Sequence, residues 1–364
     1  MGTLVRWIAP AVALMVAAVL AIARTPSSAE AALTPRQLAG QRIVYSYAGL
    51  TPPASLLDRI RAGEAAGVIF FGENISSPGQ LAGVIRQLRD ADAQSPVKAP
   101  LLLMTDQEGG KVRRLPGEPV RSEKEIGASA DPVAAASAAG TGAGQNLAGV
   151  GMNVNLAPVL DVYRQPGDLM DATGRSYSDD PAVVANLGKA FVAAQQRTGV
   201  AATVKHFPGL GSAPGGHNTD NEPVTLPVPL STLRDVDEAP YPVAFSAGAK
   251  LVMVSWATYP ALDAAHPAGL SPVVVRQELR GRLGFTGVTI TDALEAGALS
   301  GSTGDRAVAA ASAGMDLILC SARDPAQGDD AAGALVNALQ SGQLDRTDFT
   351  AAADRVATLR EGLH

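Results

Sequence analysis

The chain has 364 residues, 46% of them hydrophobic and 18% charged, which is enough to bury a substantial core and excludes a disordered polypeptide. Lys+Arg 29 against Asp+Glu 35 leaves a formal net charge of −6 without a long basic run, so the electrostatic footprint of a nucleic-acid binder is missing. The single cysteine, Cys320, excludes an internal disulfide.

At the N-terminus Arg6 precedes an apolar stretch, Ile8 to Ala23, followed by Arg24 and a small, polar segment ending in Ala29-Glu30-Ala31. These are the charged, apolar and small-residue regions of a secretory signal with an A-x-A-like cleavage site. Residues 1–31 are therefore read as a signal peptide or, if retained, an N-terminal anchor, with the mature protein beginning near Ala32. The expected location is outside the cytoplasm, secreted or associated with the cell envelope. Membrane contact is expected only if the segment is retained.

From there short apolar runs alternate with helical patterns. The runs are Arg42–Tyr47, Gly67–Phe71, Pro100–Thr105, Met152–Ala157, Val200–Val204, Lys250–Ser255, Val288–Thr291 and Met315–Leu319. Between them lie segments with helical apolar spacing, such as Pro78–Ala91, Pro181–Arg197 and Ser271–Leu283, each near a Pro or an Asp/Ser start. Eight such units predict an α/β chain folded as a single (β/α)8 TIM barrel over residues 32–364, a doubly wound open sheet being the alternative. The stretch Asp329–Leu363 reads as closing helices. Gly140-Thr-Gly-Ala-Gly144 lacks dinucleotide-loop spacing and follows an alanine-rich helical pattern, so it reads as a helix of small residues.

In such a barrel the loops at the C-terminal ends of the strands build the active site. Polar residues follow the apolar runs in order: Asp106-Gln107-Glu108-Gly109-Gly110 after the third, Asp161 after the fourth, Lys205 and His206 after the fifth, Trp256 after the sixth and Asp292 after the seventh. A single Asp after a strand is commonly a helix N-cap. Several carboxylates at one rim with lysine, arginine and histidine suit a polyhydroxylated ligand, whose hydroxyls need donors and acceptors. No H-E-x-x-H or Cys/His cluster suggests a metal, His266 and His364 read as lone surface residues, and no cofactor is called for.

The segments Thr105-Asp-Gln-Glu-Gly-Gly-Lys-Val112, Asn155-Leu-Ala-Pro-Val-Leu-Asp161, Gly174-Arg-Ser-Tyr177, Lys205-His-Phe-Pro-Gly209 and Val288-Thr-Ile-Thr-Asp292 together resemble glycoside hydrolase family 3. Within that family the chain is most similar to the single-domain β-N-acetylglucosaminidase type. The resemblance implies a carbohydrate partner and a retaining mechanism. Asp292 takes the place of the nucleophile that forms a glycosyl-enzyme, while Asp106, Arg175, Lys205 and His206 match residues that hold the non-reducing sugar. Many members carry the acid/base on a second domain, but after Asp292 only residues 293–364 remain, scarcely enough to finish the barrel.

In the single-domain type an Asp-Ser-His triplet follows Lys-His-Phe-Pro-Gly, and its histidine is the acid/base. Here that place reads Gly215-Gly216-His217, so His217 is expected as the proton donor, with Asp220 in place of the missing upstream aspartate. Further departures are Leu210 and Trp256, where the family carries histidines, and Ala293, where it carries a second aspartate. Two readings stand at this point. One is an exported retaining exo-glycosidase removing terminal β-linked N-acetylglucosamine from glycans, peptidoglycan fragments among them, with a β-glucosidase as a variant. The other is a catalytically weakened barrel that binds glycans.

Overall fold

Eight parallel strands alternate with helices and close on themselves. We number the barrel strands β1 (Ile43–Tyr45), β2 (Gly67–Ile69), β3 (Leu102–Thr105), β4 (Val154–Asn155), β5 (Ala201–Phe207), β6 (Leu251–Val254), β7 (Val288–Thr291) and β8 (Ile318–Leu319). The computed structural model describes residues 1–2 and 33–363. The signal or anchor reading of residues 1–31 and the surface reading of His364 therefore lie outside the described residues, apart from Met1 and Gly2. Strands pair in chain order from β1 to β7, β1 pairs with β8, and Ile290 bridges Leu317 to close β7 onto β8. All eight apolar runs read from the sequence hold a barrel strand, and the open sheet is not formed.

Local chemistry accounts for the outer layer. Asp-Pro pairs start the helices Pro132–Val150, Pro181–Gln196 and Pro325–Gln340, with Asp131, Asp180 and Asp324 each accepting a backbone N–H from the first turn. Proline at the first position is pre-set for the helix, and the aspartate satisfies an orphan donor. The small-residue helix is confirmed as part of Pro132–Val150, and Gly140 and Gly144 serve close packing. A Cβ on Gly140 would sit 2.3 Å from the Phe191 carbonyl oxygen of the neighbouring helix.

The barrel interior is filled from alternate strand positions. Val44, Ile69, Leu102, Met104, Val154, Leu251, Met253, Val288 and Ile290 form one buried cluster. Val356 and Leu359 of the last helix, Arg346–Glu361, and Leu363 beyond it join that cluster and cover the floor. The cavity lined by the polar residues at the strand ends opens at the opposite rim. Among the described residues no helix is long and apolar enough to cross a membrane.

Candidate active site

β3 ends at Thr105, whose hydroxyl donates to the Phe70 carbonyl at 2.7 Å, and the chain then turns into a short antiparallel ribbon pairing Gln107–Gly109 with Val112–Arg113. The ribbon needs its glycines. Gly109 has φ +117°, and a Cβ there would fall 2.2 Å from the Arg121 carbonyl oxygen. Asn155, at the end of β4, fixes the ribbon, its side chain accepting from the Gln107 N–H at 2.9 Å and donating to the Gln107 carbonyl at 3.1 Å. Asp106 is thereby presented to the barrel mouth, and Glu108 is buried behind it.

Lys205 and His206 were expected in a loop beyond the strand. Instead β5 runs on to Phe207, and both side chains are buried in the wall of the mouth, Lys205 at 1% and His206 at 5% exposure. Lys205 Nζ lies 2.7 Å from both Asp106 Oδ1 and Glu108 Oε1. Arg175 donates to the two Glu108 oxygens at 2.8 Å each, a fork matched to a carboxylate. Burial alone would raise Glu108, but Arg175 and Lys205 outweigh it and hold the carboxyl well below the usual range. Burial likewise works to lower Lys205, and Asp106 and Glu108 together raise it. The cluster is thus charged and pre-oriented.

His206 is aimed by Asp161, which accepts from its ring Nδ1 at 2.6 Å, from its backbone N–H at 3.2 Å and from the Leu210 N–H at 2.7 Å. The ring's Nε2 is 3.4 Å from an Arg175 guanidinium nitrogen. Fixing one ring nitrogen on a buried carboxylate sets the tautomer offered by the other.

Asp292 follows β7 and lines the same cavity as Asp106, Arg175, Lys205 and His206, whose volume is about 170 Å³. This is below the ~300–1,000 Å³ of pockets for drug-sized molecules and of the order of a single sugar ring. Burial raises the Asp292 carboxyl, His206 pulls it back, and the charge of Asp220 raises it further. Oδ1 of Asp292 accepts the N–H of Ala293 at 2.7 Å, and the Ala293 carbonyl accepts Nε1–H of Trp256 at 2.9 Å. Two of the departures from the family pattern therefore touch each other: buried Trp256 holds the backbone next to Asp292 and does not line the cavity.

His217 is not brought into the group. Its side chain is 59% exposed, its Nδ1 is 2.8 Å from Glu222 Oε1, and it does not line the cavity. The expected pairing with Asp220 is corrected by the same contacts: Asp220 accepts from the Asn218 side chain at 3.0 Å, and Asn218, Thr219 and Asp220 are the loop residues that line the cavity. His266 is exposed, as read, and pairs with Asp263 at 3.0 Å. Sequence reasoning missed that Arg114 and Asp220 line the cavity and that Glu108 is buried behind it, holding Arg175 and Lys205. Glu108 stands two positions after Asp106, and the ribbon's return brings Arg114 to within 3.9 Å of Asp106. Only the Gly109-Gly110 pair hinted at that return.

The model described as the N-terminal domain of glycosyl hydrolase family 3 matches residues 48–359. The chain is 45% identical over 329 residues to an uncharacterized secreted glycosyl hydrolase of Arthroderma benhamiae, covering 89% of this chain and 93% of that one. It is 33% identical to a β-hexosaminidase of Xanthomonas oryzae, covering 76% and 82%. Among solved structures it is similar to a family 3 β-N-acetylglucosaminidase from Paenibacillus, with a TM-score of 0.85 and 35% identity. That match covers 91% of this chain and 63% of the other.

Proposed function

The chain belongs to glycosyl hydrolase family 3 and is β-N-acetylhexosaminidase-like, and from that premise we propose that it is a retaining exo-glycosidase releasing terminal β-linked N-acetylglucosamine from glycans, those of peptidoglycan among them. The carrying observation is that Asp292 lines the same cavity as the Asp106, Arg175, Lys205 and His206 group. A small, floored cavity with room for about one ring suits attack at a chain end. In this reading Lys205 and Arg175 donate to sugar hydroxyls, while Asp106 and Nε2 of His206 accept from them. Asp292 then attacks the anomeric carbon and forms a glycosyl ester. Charge-assisted hydrogen bonds set before substrate arrives lower the reorganisation needed on binding. Export is part of the proposal, supported by the N-terminal pattern and by the secreted relative.

The test uses aryl β-N-acetylglucosaminide and aryl β-glucoside as competing substrates. The expected result is faster turnover of the first, release of the β-anomer, and an enzyme one sugar heavier by intact mass when a 5-fluoro glycosyl fluoride is the trap. Asp292→Asn should abolish trapping while keeping the fold, since the amide retains shape without nucleophilicity. Release of the α-anomer, or an unchanged rate in Asp292→Asn, would sink the proposal.

A further inference from the structure

We propose that Asp220 is the acid/base of the retaining reaction: it lines the cavity with Asp292 and is held there by its own loop, whereas His217 lies outside. The inference rests on the reading of the preceding section and adds the group that moves the proton.

Elimination among the titratable groups lining the cavity leads to Asp220. Asp292 is assigned to attack. Asp106 is held at 2.7 Å by the Lys205 ammonium and faces Arg114, so it stays an ion-paired acceptor. The His206 ring is committed to Asp161 on one side and faces Arg175 on the other. Lys205 and Arg175 are cations bound to Glu108. Asp220 is the remaining lining carboxyl, and it contacts no cation among the described ion pairs.

The backbone explains how an exposed loop residue is placed. The Gly297 N–H donates to the Asp220 carbonyl at 2.8 Å, and the Ala298 N–H donates to the Thr219 carbonyl at 3.0 Å. The loop after β5 is therefore bonded to the segment that follows Asp292. The approach is close enough that a Cβ on Gly297 would sit 2.3 Å from the Asn221 carbonyl oxygen. On the other side Asn218 clasps Asp220, its amide donating to Oδ2 at 3.0 Å and its oxygen accepting the Asp220 N–H at 3.0 Å. Thr219, between them, is 2% exposed and pins the turn. These bonds use the backbone and one carboxylate oxygen, so the other oxygen is free to exchange a proton. The two carboxyls are near enough for the Asp220 charge to be felt at Asp292.

The chemistry balances without a co-reactant. As Asp292 bonds to the anomeric carbon, the glycosidic C–O bond breaks with its electron pair going to the leaving oxygen, which takes the proton of the Asp220 carboxyl. The Asp220 carboxylate then removes a proton from water as the water oxygen bonds to the anomeric carbon, and the ester electron pair returns to Asp292.

The experiment compares Asp220→Ala and His217→Ala on two aryl β-N-acetylglucosaminides, one with a dinitrophenol leaving group and one with a poor phenol, with and without azide. For Asp220→Ala the poor leaving group should lose about 10²–10⁴-fold. The dinitrophenyl substrate should instead give a burst and an accumulated glycosyl-enzyme seen by intact mass. Azide, which needs no base, should restore turnover and yield the β-glycosyl azide. His217→Ala should stay within about threefold of wild type on both substrates, since general catalysis contributes far more than that where it is lost. Asp220→Asn, which keeps the Asn218 contact, controls for loop collapse and should accumulate the same intermediate. The proposal is overturned if Asp220→Ala handles the poor leaving group like wild type, or if azide rescue appears in His217→Ala instead. Loss on both substrates without an intermediate or rescue in either Asp220 variant overturns it too. Wild-type enzyme that turns over neither aryl glycoside defeats the retaining reading as well, whereas wild-type turnover with an indifferent Asp220 defeats this inference alone.

Discussion

Replacing Glu108 by Gln tests the idea that the mouth of the barrel is a pre-charged sugar clamp. Glu108 is 1% exposed and receives three short contacts, two from Arg175 at 2.8 Å and one from Lys205 at 2.7 Å. The neutral amide keeps the volume but leaves two buried cations without their shared carboxylate. Breaking a buried ion pair by removing one partner typically costs about 3–5 kcal/mol, of which Asp106 can offset part by staying on Lys205. For a barrel of this size about 2 °C per kcal/mol is expected, so the unoffset cost corresponds to about 6–10 °C and Tm should fall by somewhat less than that. The carboxyl is lowered in the folded state. Its stabilisation is therefore fully present above the ordinary glutamate range and is lost as pH falls through the lower folded value. Urea unfolding at neutral pH should show the full difference between wild type and variant, and the difference should narrow on acidification below pH of about 4. KM should rise along with it, because Arg175 loses the fork that aims it. A Tm within about 1 °C of wild type, or a gap that widens in acid, would refute the reasoning.

Asp106→Ala and Lys205→Ala should each weaken N-acetylglucosamine binding in calorimetry by roughly 1.5–3 kcal/mol per lost charge-assisted bond; if both bind like the parent, the sugar site is elsewhere. Asp237 is fully buried against Arg164 at 2.5 Å, and its carboxyl is pushed up to about 7 by burial and by the charge of Asp161, against the pull of Arg164. A raised acid favours the folded state when protonated, so the contribution is present in acid and lost as pH rises towards about 7. Relative to Asp237→Asn, wild type should then lose stability between pH of about 4 and about 8, at about 1.4 kcal/mol per pKa unit, and parallel stability curves would contradict this. Trp256→Phe removes the donor to the Ala293 carbonyl beside Asp292. An unpaired buried acceptor is worth about 1–3 kcal/mol, so kcat should fall by about tenfold with little change in KM, whereas a KM effect alone would place Trp256 in substrate binding.

The order of the barrel was legible because each strand buried on both faces must be a short, continuous apolar run, and each Asp-Pro pair starts a helix by a local rule that needs no tertiary context. Asp106, Arg175, Lys205, His206 and Asp292 were legible from motif resemblance and from the rule that strand ends carry the chemistry. What the sequence alone did not decide was which charged groups are satisfied and by whom. Glu108 looked like one more residue of its motif until the Gly109-Gly110 ribbon folded it between Arg175 and Lys205. The loop after β5 contains a histidine and an aspartate three residues apart, and nothing local says which faces inward. That choice is made by long-range backbone bonds from Gly297 and Ala298, which bring Asp220 to the cavity and leave His217 in solvent with Glu222. Sequence fixes local preferences because they act within a few residues, while the partners of a buried or docked polar group are supplied by segments distant in the chain, so only the closed barrel determines them.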